Sequence, residues 1–270
     1  MTDGVATPRV VLTIGGADSG GCYGVPTDLR TFAALGVHGT SALTVVTAQN
    51  TLGLRNAQPI PIDLIAAQLD AVLDDFRVAA VKTGMLGRAE VVDLVARYAA
   101  GGRLPNLVVD PVVVDRHGTA LFGEELIERY RNGLFPHAAL VTPNTAELAV
   151  FGATADAAAG EPAAVTALAG GRPVVVTAGR LGGAEACDLL WDGDVLHRIV
   201  AGRVVTANNA GSGDAFSAAV AAQLALGAGL LHAVHAAKAF VHRALAGAAS
   251  WRLGQGPGPL DLRPEGPTAR

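Results

Sequence analysis

A short turn near the C-terminal end of the chain combines two glycines, a serine and a carboxylate. It reads Asn209-Ala210-Gly211-Ser212-Gly213-Asp214-Ala215-Phe216 and leads into an alanine-rich helical pattern. Backbone N–H groups at the start of a helix attract anions, and glycines allow a close approach of the backbone. Asp214 beside such an anion site indicates chemistry, because it could accept a proton from a hydroxyl group attacking a phosphate. The structural alternative is that Ser212 or Asp214 only caps the helix.

Polar clusters follow six further apolar runs that are each interpreted as a strand. They lie at 15–21, 47–50, 82–85, 110–111, 144–147 and 177–179. In doubly wound sheets, ligands bind beyond the carboxyl ends of the strands. The clusters therefore predict one long cleft for a nucleotide and a small substrate.

Two common nucleotide-binding motifs are absent: GxxxxGK[ST], and GxGxxG after the first strand. Their absence excludes a Walker-type enzyme and leaves a Rossmann dehydrogenase as a weak alternative.

Hydrophobic periodicity predicts an α/β fold with a mainly parallel sheet covered by helices on both faces. A hairpin around Asp192-Gly193-Asp194 interrupts the alternation and predicts a short antiparallel piece within 187–205. One domain is expected over 1–270, with a loop and a frayed tail from about residue 255. The predicted strands lie at 9–14, 42–46, 78–82, 106–110, 138–141 and 173–176, and the predicted helices at 26–35, 61–76, 89–100, around 124–132, after 144, and on either side of 227–229.

Composition narrows the class of protein. The 270 residues are 50% hydrophobic and 16% charged, with a net charge of −4 and no basic run, which disfavours nucleic-acid and anionic-membrane partners. Cys22 and Cys187 lie outside any CxxC pair, so a zinc motif is not indicated. No signal peptide is evident, and glycines and polar residues within the uncharged stretch 215–237 favour two soluble helices over a membrane span. We expect a cytoplasmic protein.

The chain resembles the ribokinase-like superfamily and, within it, the hydroxymethylpyrimidine/phosphomethylpyrimidine kinase family of thiamine biosynthesis. The resemblance extends from Leu12 to about Leu260. The segments that carry it are Gly16-Ala17-Asp18-Ser19-Gly20-Gly21, Asp28-Leu29-Arg30-Thr31-Phe32, Thr47-Ala48-Gln49-Asn50-Thr51, Lys82-Thr83-Gly84-Met85-Leu86, Val109-Asp110-Pro111-Val112, Thr142-Pro143-Asn144 with Glu147, Gly211-Ser212-Gly213-Asp214, and Gly254 to Leu260.

The resemblance implies a substrate pocket for a pyrimidine with a primary alcohol. Gly16 would line it, Gln49 would hydrogen-bond the ring, and Met85 would form an apolar wall unless it is a core methionine. Asp28 would contact the ring, or else serve as a first-turn acid of its helix. Tyr23 would either intrude on the pocket or contribute a hydroxyl contact.

The resemblance also implies ATP and Mg²⁺. Asn144, Thr177, Thr206 and Lys238 would contact the nucleotide, although Lys238 would equally suit a solvated helix face. Asp110 and Glu147 would organise Mg²⁺, partly through water, with a surface salt bridge as the alternative for Glu147. Asp214 would be the base for in-line phosphoryl transfer, and backbone N–H groups of the catalytic turn would stabilise charge; that turn contains Gly211, Ser212 and Gly213.

Two departures from the family concern the substrate more than the reaction. Asp214 stands where many members have Cys, and Cys22-Tyr23 replaces a usual Gly-Ala pair. Ala210 in place of a frequent His is a smaller difference with no interpretation from the sequence. A pyridoxal or pyridoxine kinase on the same fold therefore stays open, as does a second phosphorylation of the monophosphate. A non-catalytic ligand-binding protein is a further alternative. A homodimer is expected by resemblance.

Overall fold

Nine strands form one sheet in the computed structural model, which describes residues 7–115, 117–152, 162–177 and 183–264. The strand order is β3-β2-β1-β4-β5-β6-β7-β8-β9. The stretch from β2 to β7 in this order is parallel, whereas β3, β8 and β9 join antiparallel to their neighbours. The strands are β1 (Val10–Asp18), β2 (His38–Asn50), β3 (Gly53–Pro59), β4 (Val78–Thr83), β5 (Leu107–Val109), β6 (Leu140–Val141), β7 (Val174–Val176), β8 (Glu185–Trp191) and β9 (Leu196–Gly202).

Helices cover both faces of the sheet because successive strand residues point to opposite sides. Leu12 belongs to a core shared with α2 and α3, whereas its neighbour Val11 belongs to a core shared with α1, α7 and α8. No helix in the described ranges is long and apolar enough to cross a membrane. The helices are α1 (Val25–Ala34), α2 (Ile62–Asp75), α3 (Ala89–Ala100), α4 (Glu124–Glu128), α5 (Thr145–Val150), α6 (Pro162–Ala169), α7 (Ser212–Ala225) and α8 (Leu230–Ala248).

The structure confirms the predicted fold class, including the antiparallel piece formed by β8 and β9. Two strand predictions were too short: β1 continues through Gly15 to Asp18, and β2 continues to Asn50. The prediction missed β3 altogether. Nearly all of β3 is exposed at the edge of the sheet, so its sequence carries no apolar alternation that would mark a strand.

The C-terminal segment is packed rather than frayed as far as residue 264. Leu260 and Leu262 are buried, and the N–H of Asp261 donates to the carbonyl of Ala244. The N–H of Ala210 donates to the carbonyl of Gly258, so this segment also fixes the start of the Gly-Ser-Gly-Asp turn. The predicted tail beyond residue 264 lies outside the described residues.

We expect the Leu69→Ala variant to lose about 2–5 kcal/mol of unfolding free energy. Leu69 on α2 has no exposed surface, so truncation leaves a cavity in the core. Leu64 on the same helix is 51% exposed, and Leu64→Ala provides the matched control with little change. Urea denaturation followed by circular dichroism measures both values. Equal losses for the two variants would contradict the assigned core.

Candidate active site

The candidate site lies where the strand order reverses, between β1 and β4. The chain after β1 leads to β2 on one side, whereas β4 and the strands after it extend the sheet in the other direction. Doubly wound folds bind ligands at the carboxyl ends of strands flanking such a reversal. Helix α7 packs against both β1 and β4, and α1 packs against α7. These four elements bring together the charged side chains of the site.

Lys82 is the central cation of this site. It lies near the end of β4 with no exposed surface, and its Nζ is 2.9 Å from each carboxylate oxygen of Asp28 on α1. The same Nζ is 3.2 Å from Oδ1 of Asp214 on α7. The hydroxyl of Thr13 on β1 donates to Oδ2 of Asp28 at 2.6 Å. Asp214 is the member of this group that reaches solvent, with 14% of its side chain exposed.

Two buried carboxyl groups near Lys82, those of Asp28 and Asp110, have raised pKa values. Burial raises the pKa of Asp28 to about 6, with Lys82 opposing the shift and Asp214 adding to it. Burial likewise raises the pKa of Asp110 to about 7, again against the effect of Lys82. Burial alone would lower the pKa of Lys82, but Asp28, Asp214 and Asp110 together raise it above the ordinary value. Lys82 is therefore a permanent ammonium at neutral pH.

The Gly-Ser-Gly-Asp turn packs directly on the loop between β1 and α1. Gly211 is the residue that precedes α7 and has φ of 79°, in the left-handed region that favours glycine. A Cβ on Gly211 would lie 2.0 Å from the carbonyl oxygen of Cys22, so no other residue fits without movement. Ser212, Gly213 and Asp214 form the first turn of the helix. No side chain caps this helix start, contrary to the structural alternative considered for Ser212 and Asp214.

Asp18 holds the loop between β1 and α1 in place. Its Oδ1 accepts a hydrogen bond from the N–H of Gly20 at 2.7 Å. Its Oδ2 accepts hydrogen bonds from the N–H groups of Cys22 at 2.8 Å and Tyr23 at 3.1 Å. This buried carboxylate therefore sets the path of the backbone that meets Gly211.

Four of the residues assigned to the substrate pocket lie around this loop. A Cβ on Gly16 would lie 2.9 Å from the side chain of Val45 and 3.4 Å from that of Met85, so Gly16 and Met85 are neighbours. Gln49 is the penultimate residue of β2, and its backbone N–H and carbonyl both hydrogen-bond the hydroxyl of Ser19. Gln49 and Tyr23 are both half-buried. A small ligand above Gly16 would thus find the apolar side chains of Val45 and Met85.

Asp28 is placed differently from its predicted role. The proposed contact with a substrate ring requires an accessible carboxylate, but Asp28 has no exposed surface. Both of its oxygens face Lys82, and Oδ2 also accepts the Thr13 hydroxyl. The cause is the register of α1, which turns Asp28 inward toward β1 and β4 rather than toward the cleft. Asp28 does lie in the first turn of α1, as the alternative interpretation has it, but its side chain faces the interior.

Asp110 and Glu147 follow the neighbouring strands β5 and β6, at the same edge of the sheet. Asp110 accepts the hydroxyl of Ser217 at 2.9 Å, and Glu147 accepts the N–H of Asn144 at 2.8 Å. Both carboxylates are buried, so Glu147 is not a surface salt-bridge residue. Within the described ranges, no three His, Cys, Asp or Glu side chains group closely enough to hold a metal ion by themselves. Two carboxylates nevertheless suit a Mg²⁺ ion that keeps water and phosphate ligands.

The residues assigned to the nucleotide occupy the far half of the same edge. Asn144 caps α5 through its side chain, and it forms a parallel bridge with Thr177 beyond β7. Thr206 accepts the N–H of Asn208 through its hydroxyl. Lys238 is ion-paired with Asp188 at 2.7 Å and is largely buried, so it does not lie on a solvated helix face. The residues following Thr177 in the predicted cluster, 178 and 179, lie outside the described part.

The sequence placed Lys82 and Asp18 in the polar clusters of the cleft but gave neither a role, and it did not indicate Thr13 or Ser217. One signal could have singled out the lysine: the chain has only two lysines, Lys82 and Lys238, and all its other basic side chains are arginines. Both lysines pair with buried aspartates. A lysine at the end of an apolar strand in such a chain indicates a buried partner.

Comparison with known proteins gives relatives along nearly the whole chain. The hydroxymethylpyrimidine/phosphomethylpyrimidine kinase of Rhizobium meliloti is 44% identical over 259 residues, covering 93% of this chain and 96% of the relative. The Bacillus subtilis pyridoxal kinase, solved as an ADP complex, is 35% identical with a TM-score of 0.85, covering 94% of this chain and 97% of that one. The phosphomethylpyrimidine kinase of Clostridium difficile is 29% identical with a TM-score of 0.76, covering 88% and 99%.

The model of the phosphomethylpyrimidine kinase family matches residues 18–261. That span includes Lys82, the turn at Gly211 and both carboxylates at the edge of β5 and β6. Together with the relatives above 40% identity, the match confirms the resemblance drawn from the motifs. The chain belongs to the phosphomethylpyrimidine kinase family.

Proposed function

We propose that this protein is an ATP-dependent kinase that phosphorylates the primary alcohol of 4-amino-5-hydroxymethyl-2-methylpyrimidine, and that it also accepts the monophosphate. The observation that carries the proposal is the position of Asp214. This carboxylate reaches solvent from the first turn of α7, three residues after the glycine that precedes the helix. Relatives with the corresponding name share 44% of their residues with this chain over more than nine-tenths of its length.

Asp214 is the base in the proposed reaction. Its Oδ1 faces Lys82, whereas its Oδ2 accepts no hydrogen bond from the described residues. An alcohol bound above Gly16 and beside Gln49 would place its hydroxyl against the open oxygen. Asp214 would accept the hydroxyl proton as the oxygen attacks the terminal phosphorus of ATP, which breaks the bond to the ADP leaving group.

The start of α7 would stabilise the transferring phosphoryl group. The first N–H groups of a helix lack partners within the helix, and the helix dipole adds positive potential there. Gly211 and Gly213 supply such backbone groups, whereas the N–H of Ser212 also donates to the carbonyl of Asn209 at 3.3 Å. No side chain caps this helix start. Donors fixed before the reaction stabilise developing negative charge at little reorganisation cost.

The nucleotide and its metal would occupy the edge formed by β5 to β7. Asn144, Thr177, Thr206 and Lys238 are the proposed nucleotide contacts, the last of these through a rearrangement of its pair with Asp188. Asp110 and Glu147 would hold Mg²⁺ together with water. When bound, Mg²⁺ would neutralise phosphate charge, as in other phosphoryl-transfer enzymes.

A pyridoxal kinase is the second candidate. It is favoured by the solved pyridoxal kinases of Bacillus subtilis and Staphylococcus aureus, whose TM-scores reach 0.85. Their identities of 35% and 28% lie below the 44% of the hydroxymethylpyrimidine kinase relatives. Tyr23 is the residue of this chain that bears on the choice, because it directly precedes Gly24, whose backbone packs against Gly16 and pairs with Ala17.

A substrate panel tests the proposed reaction. With ATP and Mg²⁺, we expect the hydroxymethylpyrimidine to be phosphorylated with a higher kcat/KM than pyridoxal or pyridoxine, measured by ADP release and mass spectrometry of the product. The Asp214→Asn variant should lower kcat on the order of 10²–10⁴-fold, the usual contribution of a general base. Asp63→Asn, an exposed first-turn aspartate of α2, is the matched control. Rapid turnover of pyridoxal without turnover of the pyrimidine would contradict the proposal.

The Gly211→Ala variant tests the anion site without removing any functional side chain. The new Cβ collides with the carbonyl of Cys22, so the turn must move, and a displacement near 1 Å lowers kcat on the order of 100-fold. Gly229 precedes α8 in the same way but has open space around its Cβ and φ of −67°. Gly229→Ala should keep wild-type kcat. Unimpaired turnover by Gly211→Ala would argue against the assigned turn.

The expected homodimer is tested by light scattering. The proposal predicts a particle of twice the chain mass of 27.2 kDa. The edge strand β3, with Leu54 exposed beside Leu52, offers a surface that a second copy would cover. A monomer at micromolar concentration would contradict this expectation.

A further inference from the structure

We propose that Lys82 is a positioning residue that fixes the Asp214 carboxylate in its reactive orientation by holding one of its two oxygens. The proposal rests on the proposed function in one respect, namely that Asp214 is the base. Lys82 itself has no exposed surface, so it does not touch substrate. Its effect on the reaction would pass entirely through Asp214.

The hydrogen-bond geometry around Lys82 fixes the direction of its ammonium group. A lysine ammonium has three N–H donors and no acceptor. Three carboxylate oxygens lie within reach of Nζ, two from Asp28 at 2.9 Å and one from Asp214 at 3.2 Å. Thr13 in turn holds Asp28 at 2.6 Å. The ammonium is thus anchored from the buried side and directs its remaining donor toward the cleft.

The local packing supports the same role. A Cβ on Gly84 would lie 3.1 Å from Nζ of Lys82 and 3.9 Å from Oδ1 of Asp214. Gly84 therefore leaves the room that this contact needs, because a side chain at this position would press on Nζ of Lys82. Because Oδ1 of Asp214 is held by Lys82, the open Oδ2 is the oxygen left to accept a proton.

The charges around the contact explain why a lysine is needed there. Asp28, Asp110 and Asp214 are three carboxylates from α1, the end of β5 and α7, and Lys82 is the one cation that the described residues place among them. Without it, this acidic group would have no compensating cation, and its buried members would be driven toward the protonated form. The alternative is that Lys82 only neutralises Asp28 and has no influence on the orientation of Asp214.

A double-mutant cycle separates these two roles. The variants are Lys82→Met, Asp214→Asn and both together, assayed with whichever alcohol of the substrate panel the wild type phosphorylates fastest. Positioning predicts that Lys82→Met lowers kcat about 10-fold to 100-fold while each KM changes less than about threefold. In the Asp214→Asn background the same substitution should have almost no effect on kcat, because the group that it positions is already lost.

Lys238→Met is the matched control for this cycle, since Lys238 is the other buried lysine paired with an aspartate. The factor by which Lys238→Met changes kcat should be the same in the wild type and in the Asp214→Asn variant, whatever its size. Equal factors for Lys82→Met in the two backgrounds, or an unchanged kcat, would overturn the proposal. Absence of turnover with the hydroxymethylpyrimidine alone would contradict the proposed substrate. It would not affect this test, because the double-mutant cycle is assayed with whichever alcohol the wild type prefers.

Two further experiments cover loss of folding and loss of turnover. If Lys82→Met alone unfolds because Asp28 is left unpaired, Lys82→Met combined with Asp28→Asn removes both charges. This double variant should fold and keep the lowered kcat, and a wild-type kcat would overturn the proposal.

Crystal structures of the wild type and of the folded variant give a readout that needs no turnover. The Asp214 carboxylate should rotate away from its wild-type position, and an unmoved carboxylate would overturn the proposal.

Discussion

The buried ammonium of Lys82 is the interaction on which the site depends. It lies at the end of the central strand β4 and binds carboxylates from two helices that are far apart in the chain. A buried carboxylate is costly unless a cation or hydrogen-bond donor compensates it. One lysine therefore allows α1 and α7 to bring acidic side chains to the same point of the sheet. The raised pKa of Asp28, to about 6, reflects how completely that point is removed from water.

The fold prepares this point through the reversal of strand order and through the composition of α7. Alanine is the commonest residue of α7, which is buried on most of its surface, so the helix lies close against β1 and β4. Close packing at its N-terminus leaves no space for a side chain at Gly211. The helix start, the loop held by Asp18 and the end of β4 consequently meet as one rigid corner. Such preorganisation is what phosphoryl transfer requires of a protein, since positioning and electrostatics supply most of the catalysis.

Local patterns in the sequence predict much of this fold and the edge at which the site lies. Helix α3 was predicted with its observed bounds, Ala89–Ala100, because its apolar face is regular. The exposed strand β3 was missed because its side chains bury little apolar surface. Burial of Asp28 was also missed. Its partner Lys82 is 54 positions away in the chain, and Asp214 is 132 positions from that lysine, so only the tertiary structure reveals the group.

Family membership indicates the reaction, and the geometry of the site indicates which side chains would act in it. The family match concerns the reaction class, whereas the contacts among Lys82, Asp28 and Asp214 concern how this chain would perform it. The most direct measurement is a crystal structure with the hydroxymethylpyrimidine and a non-hydrolysable ATP analogue. The account predicts the alcohol oxygen about 3 Å from Oδ2 of Asp214, in hydrogen-bond reach of the base, with Lys82 still on Oδ1. An alcohol oxygen bound away from Asp214, nearer another acid or base, would contradict it.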